Sequence, residues 1–135
     1  MSSPKKEVLI VVGSESDRER VAGACKALDE AKVGYEFVVS SAHRNPDQTA
    51  ELAKGARKNG YRVIIAGAGL AAALPGFMAS LSDLPVVGLP LEVGPLQGVD
   101  ALYATVQLPP GCPVGTVGIG NAKNAALLAL RILKA

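Results

Sequence analysis

The sequence predicts an α/β fold: a single three-layer α/β/α domain on a doubly wound, flavodoxin-like parallel sheet. Three observations lead there. Val8 to Val12 is an unbroken apolar run, the mark of a strand covered on both faces rather than one. Strand-like and helix-like stretches then alternate to the end of the chain, as repeated βαβ units require. The apolar residues, 49% of the chain, are mostly Ala, Val, Leu and Ile, with three Tyr, two Phe and no Trp. Small and branched side chains of this kind fill the layers between a parallel sheet and closely packed helices.

The elements follow in order. The first strand covers Glu7–Val12 and ends at Gly13. A polar Ser14-Glu15-Ser16-Asp17 stretch precedes a helix whose Val21, Cys25 and Leu28 share one face. Tyr35–Ser40 is the second strand. Asn45-Pro46-Asp47-Gln48 opens the next helix, with Asn45 as cap, Pro46 in the first turn and Gln48 completing a capping box. That helix runs to about Lys58, and Asn59-Gly60 stops it. Arg62–Ala66 is the third strand, followed by a Gly67-Ala68-Gly69 turn and an alanine-rich helix through Leu81. Pro85–Leu89 is the fourth strand and residues 90–98 a loop. A short helix over 99–106, a fifth strand at Val114–Ile119 and a final helix at Asn124–Leu133 complete the pattern. The 135 residues suffice for one core, and residues 1–6 are expected to be a solvated polar tail.

Composition excludes several classes of function. A formal charge of +2, with no aromatic residues among the basic ones, argues against a nucleic-acid partner. No apolar run reaches the roughly 18 residues a membrane span needs, and no signal-like segment precedes the first strand. Cys25, on a helix, reads as a structural thiol, and Cys112 lies in a Pro-Gly-Cys-Pro turn. Their lack of a close motif fits a reducing, cytoplasmic setting. A flavin carrier would need aromatic rings at the strand-end loops, which contain none.

Ligands of open parallel sheets bind beyond the carboxyl ends of the strands, and three loops there carry the unusual residues. In Gly13–Asp17, hydroxyls and backbone N–H groups at a helix start suit a phosphate. Ser14 or Ser16 acting only as a cap explains the same residues, and local sequence leaves both readings open. In Ser41–Pro46, His43 is the only histidine in the chain. An imidazole can both give and take a proton near neutrality, and Arg44 beside it offers a fork for carboxylate or phosphate. A solvated surface turn is the plainer alternative. In Gly67–Gly76, small residues permit close approach of a flat ligand, although dense helix–strand packing would also account for them.

Taken together, the motifs are specific. Gly-Ser-x-Ser-Asp (13–17), Ser-Ala-His-Arg-x-Pro (41–46), Ala-Gly-Ala-Gly (66–69), Leu-Pro-Gly (74–76) and Leu-Pro-Val-Val-Gly (84–88) occur in this order. Gly-Val-Asp-Ala-Leu (98–102), Val-Gln-Leu-Pro (106–109) and Asn-Ala-Ala-Leu-Leu-Ala (124–129) follow. From about Val8 to Leu133 the chain resembles the PurE family of purine biosynthesis. That resemblance implies carboxylation of the imidazole ring of aminoimidazole ribonucleotide. The carboxyl group comes either from the exocyclic amine of N5-carboxyaminoimidazole ribonucleotide or from free carbon dioxide, and the first is the reading adopted. It implies no metal or organic cofactor, and a homo-oligomer, typically an octamer.

By the same resemblance His43 is the general acid/base. Ser14, Ser16 and Asp17 hold the phosphoribose end, and Arg44 binds anionic groups. Ser41, Ala42, Gly67, Ala68, Gly69, Ala71 and Leu74 complete the substrate contacts. Two positions depart from the common microbial motif Gly-Gly-Ala-Ala-His-Leu-Pro-Gly. Leu70 stands for its second glycine and Ala73 for its histidine. Family members also usually continue with a further helix that packs on a neighbouring subunit, where this sequence stops at Ala135. A non-catalytic nucleotide-binding module on the same fold is the rival reading, and it would have no need of His43 beside Arg44.

Overall fold

A computed structural model describes residues 5–135. Five parallel strands form one sheet in the order β2-β1-β3-β4-β5: β1 Lys6–Val12, β2 Gly34–Val39, β3 Val63–Ala68, β4 Val86–Pro90 and β5 Gly115–Thr116. Helices α1 (Ala22–Glu30), α2 (Pro46–Gly55), α3 (Leu74–Leu81), α4 (Val99–Val106) and α5 (Ala122–Lys134) cover both faces. The flavodoxin-like order and the doubly wound layout are those the sequence predicts.

The apolar run of β1 is explained by its two faces. Val8, Ile10 and Val12 pack with α1 and α5, through Ala24, Leu28, Ala125 and Ala129. Leu9 and Val11 point the other way, toward Ala53 of α2 and Met78 of α3. These five of the seven β1 residues have no exposed surface, and burying each contributes about 1.5–3 kcal/mol. The alanines of α5 let it approach α1 closely, since a Cβ on Gly23 would lie 3.7 Å from that of Ala122. Among the described residues, no helix is long and apolar enough to cross a membrane.

Several boundaries differ from the sequence reading, each for a local reason. β1 starts at Lys6, which pairs with Gly34 in the ladder and with the Glu36 carboxylate through its side chain. Lys6 is therefore strand rather than tail, while residues 1–4 of the expected tail lie outside the described residues. Between β1 and α1 the chain makes two 3-10 turns, Glu15–Asp17 and Glu19–Val21, so the α-helix begins later than its apolar pattern. Cys25 is half-buried beside Tyr35, and burial pushes its thiol pKa up. Burial likewise raises the Tyr35 hydroxyl to about 12.

Helix α2 ends at Gly55, and the next residues form turns closed by Gly60 at φ +95°. Asn45 makes no side-chain cap. Gly67 and Ala68 belong to β3 rather than to a turn, because they pair with Leu89 and Pro90. β5 shrinks from the expected 114–119 to two residues. Beyond Thr116 the backbone still bonds to β4, Val117 N–H to the Gly88 carbonyl and Gly120 N–H to that of Pro90. Gly120, at φ +70°, turns it out of the extended conformation.

Gly98, the residue before α4, adopts φ +90°, and a Cβ there would meet Ile119 Cγ2 at 2.5 Å and Glu92 Cα at 3.2 Å. Gly111 has a similar φ, +97°, with nothing within 4 Å. We expect Gly111→Ala to lower the unfolding free energy by about 1 kcal/mol, the left-handed cost alone. Gly98→Ala should lower it by about 2–4 kcal/mol, because overpacking adds to that cost. Urea unfolding of both variants checks this, and equal losses would contradict it.

Candidate active site

The strand order reverses between β1 and β3, so the loops leaving those strands diverge and open a crevice at their carboxyl ends. A cleft of about 470 Å³ occupies it, and all three loops singled out from sequence reach it.

The loop after β1 contributes Gly13, Ser14, Ser16 and Asp17. Ser14 is extended, and its Oγ accepts from the Ser16 N–H at 3.3 Å while lying 2.9 Å from Ser16 Oγ. The Asp17 N–H donates to the Ser14 carbonyl at 3.0 Å. Ser14 is thus a cap, as the plainer reading held, and both hydroxyls also line the cleft. The Asp17 side chain is only 8% exposed, and its carboxylate is met by Arg20 Nη1 at 2.7 Å. The same nitrogen donates to the Ser16 carbonyl at 3.2 Å, so Arg20 braces the loop.

The loop after β2 contributes Ser41, Ala42, His43 and Arg44. Ser41, almost fully buried, anchors it: its Oγ accepts from the backbone N–H of His43 at 3.2 Å and of Arg44 at 3.1 Å. The His43 and Arg44 side chains are left exposed toward the cleft, and among the described residues no carboxylate stands within ion-pair distance of either.

The third wall runs along Ala68, Gly69, Ala71 and Leu74. Gly69 is required by close approach, since a Cβ there would stand 2.5 Å from Val93 Cγ2. Leu70 sits at φ +56°, a conformation that costs a non-glycine residue about 1–2 kcal/mol. Gly67 is the one expected contact that does not reach the cleft. It is buried in β3, where a Cβ would only touch Val12, Val21 and Leu91. Ala73 and His43 border both this cleft and an adjoining one of about 480 Å³ that runs on to Phe77, Leu108 and Cys112.

Sequence reasoning passed over two lining residues. Arg20 follows Asp17 by three positions, a spacing that places the two together on one helical turn. Val93 lies in the loop after β4, another strand end, but carries no reactive group. Among the described residues, no three His, Cys, Asp or Glu side chains come together as a metal site would need.

The AIR carboxylase family model matches residues 7–135. This chain belongs to the AIR carboxylase family. Among its relatives, an N5-carboxyaminoimidazole ribonucleotide mutase of Synechocystis sp. is 52% identical over 133 residues, 98% of this chain and 76% of that protein. The mutase of Pyrococcus horikoshii is 53% identical, over 98% of this chain and 75% of its own length. Phosphoribosylaminoimidazole carboxylase of Schizosaccharomyces pombe is 51% identical over 92% of this chain, which matches 22% of that longer protein. The crystal structure of Treponema denticola PurE superposes with a TM-score of 0.85 at 26% identity, covering 96% of this chain and 81% of that one.

The Arg20–Asp17 pair predicts a measurable effect. Arg20→Ala leaves a buried carboxylate without its partner and should lower stability by about 1–2 kcal/mol, moderated by the solvent that reaches Arg20. Arg20→Lys should recover only part, since a point charge cannot brace the carboxylate and the Ser16 carbonyl together. Chemical denaturation of the three proteins decides it.

Proposed function

We propose that this chain converts N5-carboxyaminoimidazole ribonucleotide to 4-carboxy-5-aminoimidazole ribonucleotide, an isomerising carboxyl transfer in purine biosynthesis. The observation that carries the reading is the meeting of a hydroxyl-lined loop, a histidine–arginine pair and a small-residue wall around one cleft. Relatives about half identical over nearly the whole chain bear the name of that mutase.

Ser14, Ser16 and Asp17 bind the phosphoribose end: two hydroxyls and nearby N–H groups suit the phosphate, and a fixed carboxylate suits ribose hydroxyls. Arg44 receives the carboxylate of the substrate. His43, as imidazolium, protonates the exocyclic nitrogen while its bond to the carboxyl carbon breaks and leaves its electron pair on nitrogen. Carbon dioxide is released into the cleft. The ring carbon then attacks it to form the new carbon–carbon bond, and neutral His43 removes the ring proton, which restores the imidazolium. One histidine suffices because the proton it gives to the exocyclic nitrogen is replaced by the one it takes from the ring carbon. Ala68, Gly69 and Ala71 allow the flat ring to lie close to the wall, limiting escape of carbon dioxide.

The same reading takes the protein to be cytoplasmic, to need no cofactor and to assemble as a homo-oligomer, an octamer as the family resemblance implies. Val99, Tyr103 and Val106, all exposed on one side of α4, support an assembly because an apolar row of this kind suits a subunit contact.

A paired assay tests the reaction. The purified protein is given N5-carboxyaminoimidazole ribonucleotide in one arm, and aminoimidazole ribonucleotide with bicarbonate in the other. Fast turnover in the first arm only is expected, and efficient turnover in the second only would assign direct carboxylation instead. Silence in both from folded protein would favour a nucleotide-binding module. His43→Asn should reduce turnover about 10²–10⁴-fold or more while leaving fold and substrate binding largely intact. Unchanged turnover, or loss of folding, would remove His43 from this role.

A further inference from the structure

The turn that carries His43 and Arg44 is held from beneath by one buried hydroxyl. Thr49, in the first turns of α2, has no exposed surface, and neither has Ser40 at the end of β2. Thr49 Oγ1 lies 2.6 Å from Ser40 Oγ, 2.8 Å from the Asn45 carbonyl oxygen and 3.1 Å from the Ser41 carbonyl oxygen. A threonine hydroxyl has one proton and two lone pairs. It therefore accepts from the Ser40 hydroxyl and shares its own proton between the two carbonyls, a three-centre bond that fits both distances.

Those carbonyls are the two ends of the turn. The Asn45 N–H donates to the Ser41 carbonyl at 2.8 Å, and Ser41 Oγ accepts from the N–H groups of His43 and Arg44. The Ser40 N–H, in turn, donates to the Val12 carbonyl at 2.8 Å, which ties the network to β1. A threonine that only closed its own helix would need the Asn45 carbonyl alone, as a common bond to the residue four before it. The contacts to Ser40 and to the Ser41 carbonyl go beyond that need, and away from water they are strengthened.

We infer that Thr49 is a positioning residue: its hydroxyl clamps both ends of the 41–45 turn and so sets where the His43 imidazole and Arg44 guanidinium stand. It acts through the backbone of the turn. This inference rests on the reading of His43 as the acid/base of the proposed reaction.

The test compares Thr49→Val, which keeps shape and loses the hydroxyl, with Thr49→Ser, which keeps the hydroxyl. Each full-length protein is assayed with N5-carboxyaminoimidazole ribonucleotide, and the Cε1–H signal of His43 is followed by NMR. With a single histidine in the chain, that signal is unambiguous. Thr49→Val should lower kcat about 10–100-fold with a much smaller change in KM, and should shift or split the His43 signal. Thr49→Ser should restore both readouts. A kcat for Thr49→Val within about twofold of the parent, an unmoved His43 signal, or a serine variant no better than valine would overturn the proposal. If Thr49→Val does not fold, Ser40→Ala removes the donor to the same hydroxyl, and an unmoved His43 signal and kcat there would also overturn it. If the parent itself does not turn over the nucleotide, the proposed reaction fails, and the His43 signal still decides the role of Thr49.

Discussion

Every feature of this fold refers back to β1 being buried on both faces. An apolar strand buried away from water satisfies its backbone only with neighbours on both edges and its side chains only with layers on both faces. β1 has β2 on one edge and β3 on the other, with α1 and α5 on one face and α2 and α3 on the other. To supply those two edges the chain must first go to one side of β1 and then cross to the other. That crossing makes the loops after β1 and β3 part company, and the gap between them is the cleft. The site thus follows from how the core is closed rather than from any separate device.

The polar groups around the cleft are buried in two ways. Asp17 is nearly covered and relies on an arginine that solvent still reaches, an arrangement in which charge is balanced without full desolvation of both partners. The hydroxyls of Ser40 and Thr49 are neutral and fully covered, so their geometry alone decides whether they help or harm. In the proposed reaction, the first suits a loop that meets the polar phosphoribose end of the substrate. The second suits, in that same reaction, a turn whose backbone must stay still while its exposed side chains do chemistry. Thr116 is a contrast: its hydroxyl is buried without a hydrogen-bond partner among the described residues, in the short edge strand β5 where the ladder gives out.

Leu70 and Ala73 give this cleft its own character within the family motif. Leu70 keeps a left-handed backbone that a glycine would adopt without strain, and its side chain covers Gly94, where a Cβ would come within 2.6 Å of Leu70 Cδ2. The loop after β3 is therefore wedged against the loop after β4. Ala73 leaves a methyl group on the boundary between the main cleft and the adjoining apolar one. In the proposed reaction all proton traffic then falls to His43, and at this boundary Ala73 offers only a methyl group.

Much of this was legible in the chain itself, because local chemistry is enough to specify it. The apolar run of β1, the alternation of elements and the polar strand-end loops depend on residue type and spacing, and these read directly as a doubly wound sheet with its site at the carboxyl ends. The motifs also pointed to His43, Arg44 and the serine loop. Contacts between residues distant in sequence were another matter. Gly67 looks like a loop glycine, yet pairing with Leu89 makes it strand. β5 looks like six residues, yet its edge position lets Gly120 bend it away. Thr49 looks like any helix residue, and only the packing of α2 beneath the β2 loop brings its hydroxyl to Ser40 and Ser41. Sequence by itself determined which residues could do chemistry; tertiary structure decided which of them are held still, because that depends on buried partners that spacing along the chain does not reveal.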